Sequence, residues 1–560
     1  MSKRLTTIQP HLLPEQLATT NQIVIRPSRP DIERPSDPAL EVELLRFSGG
    51  LWKTGDAFQG TQIFGGTGSG KTTGSGAAIA KALLAAGFGG LVLTAKADEC
   101  DLWKKYAKST GRVADIVEIS VGTECAFNIL EYEFHQGGGL TSNIVSLLVG
   151  AMSTGEGSVS QSEPYWTEAL REMLTHAIDL VVFGSLGETW TKTGALAGAR
   201  PQIRLSDIVR LIRSAPQSLA EIGTTTWQKR SRFWQTMQRA AVLIDAKALP
   251  APRQRDLEQT ADYWLRDFPS LAPRTRSIVV STFTAKVSGL LRSPIRDLFF
   301  EDTNPRFSPH VSFSGDRASG AGNRIVVLNV PVKEYGEVGR FCQVLYKTIW
   351  QRAADRRTSA LKLSPQEAEA RVRQGTLTPE AACSTAPAFL WADESQYFVT
   401  HEDMLFQQTA RSSRVATVYL TQNIGNYEVA FGPKAGRAHV NSLLGNLQTK
   451  VFHANGDPAT NEFAESVFAK RWKDVRSEST NQGDSVQEGR MTLSSGASQQ
   501  MSAQLAPAVD ARKFTLLASG GLRFNYLVQA WVFQSSRNWN APGEGKDGAN
   551  AVFVEFEQNL

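Results

Sequence analysis

The residues best suited to chemistry in this sequence lie between Gly65 and Thr72. The stretch is Gly-Gly-Thr-Gly-Ser-Gly-Lys-Thr, which fits the P-loop (Walker A) pattern at every fixed position. Glycines let backbone N–H groups fold around phosphate oxygens, because no Cβ atom stands in the way. Lys71 can reach the β- and γ-phosphates of a nucleotide, and the Thr72 hydroxyl is placed to coordinate Mg²⁺. The pattern predicts that ATP and Mg²⁺ are bound by Gly65, Gly66, Thr67, Gly68, Ser69, Gly70, Lys71, Thr72 and Thr73.

The flanks of this loop agree with the prediction. Residues 61–64 have the composition of a short buried strand, and residues 76–86 are rich in alanine and leucine and favour a helix. A glycine-rich turn without any ligand is the alternative. The order of strand, loop and helix favours the nucleotide site over it.

A second candidate element is an apolar strand, predicted at 388–392, that ends in Asp393 and Glu394. In P-loop ATPases such a pair supplies one carboxylate for Mg²⁺ and one to polarise the attacking water. We expect Asp393 to hold the metal, directly or through water, and Glu394 to be the general base. Taken alone, a strand that ends in two acids is often a solvated strand end. About 320 residues separate the pair from the P-loop, so the two can meet only if a large domain is inserted between them.

Polar residues around the next predicted strand, 415–420, complete the set of candidates. A parallel neighbour in the sheet would bring Gln422, at the strand tip, close to the γ-phosphate, where it could sense the state of the nucleotide; a polar strand cap is the alternative. Before the strand, Arg411 is the first candidate and Arg414 the second for an arginine that acts on the next subunit of a ring. Surface arginines are common, so a solvated arginine is the alternative for both.

Composition sets the class of protein. The chain has 560 residues, of which 41% are hydrophobic and 21% charged, so two to four soluble domains are expected. The net charge of +5 permits a nucleic-acid surface without requiring one. Four scattered cysteines suit a reducing cytosol, and the seven histidines show no metal-ligand spacing. Neither a signal peptide nor a stretch of 18 apolar residues is found, which predicts a cytoplasmic protein.

The pattern along the chain predicts an α/β fold with a parallel sheet. Short apolar runs predict buried strands at 61–64, 90–94, 116–119, 324–330, 388–392, 415–420 and 449–453. Between about 140 and 320 strand signals thin out, and apolar residues recur at helical spacing. The predicted domains are an N-terminal arm (1–50), a nucleotide-binding domain (51–139 with 324–540), an inserted all-α domain (140–323) and a C-terminal tail (541–560). We expect a flexible loop at 477–505, which is rich in Ser, Gln and Gly.

Together these elements resemble a known family, the type IV secretion coupling proteins. These are the TraG/TraD-type conjugative ATPases of the FtsK–HerA superfamily. The segments that carry the resemblance are the P-loop, Asp393-Glu394, the Arg-Ser-Ser-Arg stretch at 411–414, the Thr-Gln-Asn tip at 421–423, and three further stretches at 93–99, 127–128 and 165–169. Two features depart from the family. Most members carry N-terminal transmembrane helices, whereas none is predicted in this sequence. After the strand at 90–94, the sequence has Thr94 and Ala97 where the family has Asp and Gly, which leaves the roles of Lys96 and Glu99 open.

The resemblance implies a RecA-like motor domain and a hexameric ring that threads DNA, with single-stranded DNA as our expectation. It also implies a relaxase or secretion-channel proteins as partners. Without transmembrane helices, the chain would work off the membrane or dock on a separate membrane-anchor partner at the inner membrane. Two alternatives stay open: a HerA-like translocase for DNA processing or defence, and an adaptor that uses nucleotide binding only as a switch to recruit proteins.

Candidate DNA contacts are less specific. Residues 227–234 interleave cations with tryptophans and a phenylalanine, a mixture that can bind phosphates and stack on bases. A second basic group comprises Arg274, Arg276, Lys286, Arg292 and Arg296. Solvated helix faces whose aromatic residues anchor in the core are the alternative for both.

Overall fold

The centre of the molecule is a nine-stranded sheet that carries the P-loop. The computed structural model describes residues 38–47, 50–123, 126–152, 164–301, 307–314, 323–376, 385–432, 436–487, 490–539 and 550–558. The strands of the sheet are β3 (Thr61–Phe64), β4 (Gly89–Leu93), β5 (Ile116–Ser120), β6 (Ile325–Asn329), β7 (Ala388–Ala392), β8 (Val415–Thr421), β9 (Thr449–Phe452), β12 (Leu527–Gln534) and β13 (Ala551–Glu557). A separate hairpin pairs β1 (Glu43–Phe47) with β2 (Gly50–Lys53).

The strand order is β13-β12-β9-β3-β8-β7-β4-β6-β5. All neighbours from β9 to β5 pair in parallel, whereas β12 runs antiparallel to both β9 and β13. Apart from the edge strand β5, the parallel strands are buried on both faces, which is why β4, β6, β7 and β8 are predominantly apolar in sequence. The predicted α/β class with a parallel sheet is therefore confirmed. Because β3, β7, β8 and β9 are parallel, their carboxyl ends meet along one edge.

The described helices include those that cover the two faces of the sheet and those of the region between β5 and β6. They are α1 (Thr54–Ala57), α2 (Ala77–Ala85), α3 (Glu99–Ser109), α4 (Ile129–Gln136), α5 (Thr141–Met152), α6 (Pro164–Thr193), α7 (Leu205–Arg213), α8 (Leu219–Ile222), α9 (Thr225–Arg230), α10 (Arg232–Asp245), α11 (Ala251–Asp262), α12 (Phe268–Ser270), α13 (Pro273–Val287), α14 (Val332–Arg356), α15 (Pro365–Arg373), α16 (His401–Thr409), α17 (Ile424–Phe431), α18 (Gly436–Asn446) and α19 (Pro458–Val467). Alternate residues of β4 enter different cores: Val92 packs with α2 and α3, and Leu91 joins the core on the other face.

The described residues between β5 and β6 contain helices and no strand. A single hydrophobic cluster continues from the sheet into these helices, from Leu328 in β6 to Trp264. An ionic contact reinforces the junction, because the buried carboxylate of Glu133 in α4 accepts hydrogen bonds from Arg352 and Arg356 of α14 at 2.8–3.0 Å. Among the described residues, no helix has the length and apolarity to cross a bilayer. The predicted domain boundaries themselves stay predictions.

Two predictions about the C-terminal part of the chain were wrong. The predicted flexible loop at 477–505 falls within a long antiparallel ribbon of β10 (Lys470–Gln487) and β11 (Arg490–Pro507). The predicted tail from 541 onwards contains β13, which pairs with β12 at the edge of the main sheet. In both cases, pairing between strands satisfies the backbone of a segment whose composition or position suggested irregular structure. Residues 1–37 of the predicted arm (1–50) lie outside the described residues, and β1 lies in the rest of the arm.

Candidate functional site

The loop that follows β3 has the backbone conformation of a phosphate cradle. Gly68 and Gly70 adopt φ values of +73° and +81°, which side chains disfavour. A Cβ atom on Gly70 would also lie 2.5 Å from a methyl group of Val528, so β12 closes one side of the loop. The Ser69 hydroxyl is buried and has no hydrogen-bond partner. An unpartnered buried hydroxyl beside backbone N–H groups suits a ligand with several acceptor oxygens, such as phosphate.

The acidic pair after β7 lies directly against this loop. Thr72 Oγ1 donates a 2.7 Å hydrogen bond to Asp393 Oδ2. Lys71 Nζ lies 3.9 Å from Asp393 Oδ1 and 3.6 Å from Glu394 Oε1. All three charged side chains are buried, with 4–7% of each residue exposed. The structure thus brings together the two segments that the sequence placed about 320 residues apart.

The Glu394 carboxylate accepts hydrogen bonds from two side-chain amides and lies near two lysines. Its backbone is left-handed (φ +48°), a conformation that bulky residues adopt at a cost and that recurs at functional sites. Gln396 Nε2 donates to Oε2 at 3.0 Å, and Gln422 Nε2, from the tip of β8, donates to Oε1 at 3.3 Å. Burial raises the pKa of Glu394, but Lys71, the two amides and Lys96 outweigh it and hold that pKa below its ordinary value. The carboxylate is therefore ionised at neutral pH.

Behind the acidic pair lies a further carboxyl group, that of Glu99 at the start of α3. One oxygen accepts a 2.9 Å hydrogen bond from the backbone N–H of Ala95, whereas the other is buried without a partner. Burial, followed by the charge of Asp393, raises the pKa of Glu99 to about 8. Lys96 lies between the acids, with Nζ 3.7 Å from Glu394 Oε1. Glu99 is thus protonated at neutral pH and Lys96 is charged.

The floor of the loop contains a histidine that the sequence analysis missed. His453, just after β9, is fully buried, and its Nδ1 lies 3.1 Å from the carbonyl oxygen of Gln529. Because a carbonyl can only accept, Nδ1 carries the proton and Nε2 accepts a 2.6 Å hydrogen bond from the Ser75 hydroxyl. Burial is the main cause that lowers the pKa of His453 to about 4. The polar end of β9 was the available signal, but nothing local linked it to Ser75.

The structure does not bring the two arginine candidates to the same site. Arg411 is exposed, and Arg414 lies immediately before β8, at the amino end of that strand. The P-loop and Asp393 lie at the carboxyl ends of β3 and β7, so the seven residues of β8 separate the two places by roughly 20 Å. Neither arginine can reach the P-loop of its own chain. Gln422, in contrast, joins Glu394 directly, and Thr73 is exposed on the outer side of the loop.

The candidate DNA-binding segments have largely structural contacts. Trp227 and Trp234 pack against the core, with ring centroids 5.8 Å apart, while Lys229 and Arg230 are exposed. Arg276 is buried and donates to the backbone carbonyls of Phe268, Pro269 and Leu271. For Arg276 the structure supports a structural role over DNA contact, because its guanidinium makes these hydrogen bonds within the helical region.

The donors at this edge suit a hard divalent cation together with a nucleotide. The hydroxyl of Thr72 and the carboxylate of Asp393 already touch, and Mg²⁺ binds through one or two protein oxygens supplemented by phosphate and water. In the described part of the chain, no cluster of three or more His, Cys, Asp or Glu side chains could hold a metal without such help. The sheet and this loop give the chain the fold of a RecA-like P-loop core.

Solved structures share this architecture. The bacterial conjugative coupling protein TrwBdeltaN70, in an unbound monoclinic form, superposes with a TM-score of 0.50 at 13% identity, over 93% of this chain and 90% of that one. The plasmid coupling protein TrwB in complex with ADP and Mg²⁺ gives a TM-score of 0.50 at 12% identity, over 93% and 90%. No protein-family model and no curated protein sequence matches the chain. The chain has the fold of these coupling proteins, so the predicted resemblance and the RecA-like core with a helical domain are confirmed at the level of the fold.

Proposed function

We propose that this chain is an ATPase that uses Mg²⁺ and ATP to move DNA, or a nucleoprotein, towards a type IV secretion or conjugation machinery. The observation that carries the ATPase part is the direct contact of Thr72 with Asp393, with Lys71 placed between both acids. A solvated strand end would have no reason to bury two carboxylates beside a phosphate loop.

Each polar residue of the site has a proposed role. Bound Mg²⁺–ATP supplies the γ-phosphoryl group as the electrophile. Lys71 donates to phosphate oxygens, and Thr72 and Asp393 hold the metal. Glu394, ionised at neutral pH, accepts the proton of the attacking water. Gln396 and Gln422 fix the orientation of that carboxylate through their amides, so Gln422 is able to transmit a change at the tip of β8 to the base.

The coupling part of the proposal is supported by the shared fold with TrwB, which is described as a conjugative coupling protein. We propose a hexameric ring in which Arg411, or Arg414, acts on the nucleotide of the neighbouring subunit, because neither reaches its own. The proposed partners are single-stranded DNA, a relaxase or secretion-channel protein, and a separate membrane-anchor partner that would hold the ring at the inner membrane from the cytoplasm.

The test is ATP turnover with and without single- or double-stranded DNA, for the wild-type protein and for Lys71→Ala and Glu394→Gln. We expect DNA to stimulate turnover and both substitutions to abolish it, with unchanged circular dichroism. Lys192→Ala and Glu168→Gln are matched controls, since both side chains are at least 70% exposed. Turnover that is indifferent to DNA, with tight binding of a protein partner, would replace this proposal with the nucleotide-switched adaptor. Electron microscopy with a slowly hydrolysed ATP analogue, with and without single-stranded DNA, tests the ring.

A further inference from the structure

A single glutamine joins the P-loop to the end of β13. Gln558 Nε2 donates a 2.7 Å hydrogen bond to Thr73 Oγ1, although 485 positions separate the two residues. On its other side, Gln558 Oε1 accepts a 2.7 Å hydrogen bond from the backbone N–H of Gly521. Gln558 itself is anchored, because its backbone N–H donates to the carbonyl of Tyr526 at 2.9 Å. The amide therefore bridges the first helical turn after the loop to the turn before β12.

The chemistry of these partners fixes which way the amide points. A backbone N–H can only donate, so the atom facing Gly521 must be the oxygen of Gln558. The nitrogen then faces Thr73 and must donate to its hydroxyl oxygen. A hydroxyl has one proton and two acceptor positions, and here one acceptor position is filled. The proton of the Thr73 hydroxyl is not needed for this contact and stays available to a second acceptor.

The backbone around Gln558 holds it against the loop. Asn525 and Tyr526 both adopt left-handed conformations, with φ of +51° and +59°. Such conformations persist only where the surrounding structure holds them, so the turn before β12 has a well-defined backbone. Val528, two residues further, contacts Gly70 so closely that no side chain would fit there. The turn, β12 and Gln558 thus form one wall of the loop, on the side of Thr73.

We propose that Gln558 is a positioning residue for nucleotide binding, which orients the Thr73 hydroxyl so that it donates to a phosphate oxygen. This inference rests on the proposed ATPase function, because Thr73 matters only if the loop holds a nucleotide. Gln558 touches neither Asp393 nor Glu394, and its nearest contact with the loop is through Thr73. Its removal is therefore expected to weaken ATP binding and to leave the chemical step intact.

The test compares ATP dissociation constants and steady-state kinetics for Gln558→Met and Gln558→Glu, each in the wild-type and the Thr73→Val background. Methionine keeps the length without a donor, so ATP should bind about fivefold more weakly, the value of one ordinary hydrogen bond. Glutamate still accepts from Gly521 but also accepts the Thr73 proton, so it should weaken binding further. KM should rise in parallel, with kcat within twofold of wild type. In the Thr73→Val background, Gln558→Met should have no further effect.

Gln499→Met is the matched control, because Gln499 on β11 makes an exposed contact with Glu478. It should leave ATP binding unchanged. The inference is overturned if Gln558→Met binds ATP within twofold of wild type, or if it weakens binding equally when Thr73 is valine, which would mean a structural role only. Thr73→Ser keeps the hydroxyl, so in that background Gln558→Met must still weaken ATP binding. If wild-type protein binds no ATP, the proposed function falls as well; if it binds ATP and Lys71→Ala does not, a normal Gln558→Met overturns this inference alone.

Discussion

The hydroxyl of Thr72 donates to the carboxylate of Asp393 at 2.7 Å, across 321 positions of sequence. Under the proposed function, these two side chains, which already contact each other, would be the protein's ligands to Mg²⁺. We predict that Thr72→Val raises the Mg²⁺ concentration needed for half-maximal turnover by about tenfold, or ~1.4 kcal/mol. Thr72→Ser, which keeps the hydroxyl, is the control. A magnesium titration of ATPase activity makes the comparison, and equal curves for valine and threonine would remove Thr72 from the metal site.

Glu394 should set the acid limb of the pH profile. A carboxylate is a base only when ionised, and the pKa of Glu394 lies below its ordinary value. Activity is therefore expected to fall only at pH values below the usual range of glutamate, and to stay level from there to neutrality. Glu394→Gln should lower kcat by roughly 10²- to 10⁴-fold and abolish the acid limb of the residual rate. A glutamine variant with the wild-type profile would assign the proton to another group.

Arg411 should act between subunits, because it lies at the other end of β8 from its own loop. Arg411→Ala is expected to lose most of its turnover while binding ATP normally, since the arginine stabilises charge in the transition state. Mixing Arg411→Ala with Lys71→Ala should restore part of the activity, since the Lys71→Ala subunit supplies the arginine and its neighbour supplies the loop. No recovery on mixing, with mixed rings verified by native mass spectrometry, would argue against action in trans.

Glu99 should make the protein less stable as pH rises. Its folded pKa of about 8 exceeds the unfolded value near 4.5, so between these values the folded state still holds a proton that the unfolded state has released. The stability from this proton is complete below about pH 4.5 and is lost progressively as pH rises to about 8. We predict that Glu99→Gln equals wild type in thermal midpoint at pH 5 and exceeds it at pH 8, by an amount that corresponds to roughly 3 kcal/mol. Glu168→Gln, which is exposed, should change neither value. A stabilisation independent of pH would mean that packing, not the proton, is responsible.

The buried pair of Lys347 in α14 and Asp403 in α16 should be essential to the fold. Lys347 Nζ also donates to the carbonyl of Phe398 at 2.8 Å, while Tyr419 and Gln351 donate to Asp403. Lys347→Met leaves an unpaired carboxylate in the core and should cost about 3–5 kcal/mol. Chemical denaturation measures the loss. Lys192→Met breaks an exposed pair within α6 and should cost under ~0.5 kcal/mol; comparable losses in both variants would contradict the argument.

The sequence predicted the central sheet well, because parallel strands are buried on both faces and therefore appear as short apolar runs. β7 was predicted with the bounds that the structure shows. The pairing of β10 with β11 was missed because Ser, Gln and Gly are typical of loops. The two strands stabilise each other by hydrogen bonds between their backbones, which the composition of either segment does not reveal. β13 was missed although Val552, Phe553 and Val554 are typical strand residues, because its position near the end suggested a tail.

In the candidate site, too, features set by local sequence were predicted and contacts between distant segments were missed. The loop and the acids were predictable because phosphate and Mg²⁺ chemistry restricts residue types at fixed spacing. Contacts that depend on three-dimensional proximity were not, and these include His453 beneath Ser75 and Gln558 beside Thr73. Both are ordinary polar residues after a strand. His453 reaches the loop because β9 pairs with β3, and Gln558 reaches it because β12 and β13 are added antiparallel to β9.

The placement of β3 between β8 and β9 has a consequence for synthesis on the ribosome. Both strands that flank β3 are translated long after it, because β8 begins 351 positions (415 − 64) and β9 385 positions (449 − 64) beyond Phe64. At about 5 to 20 residues per second, the P-loop strand waits roughly 20 to 70 seconds for its neighbours. β3 is only four residues long, which limits the number of unpaired backbone N–H and C=O groups that the nascent chain exposes during this time.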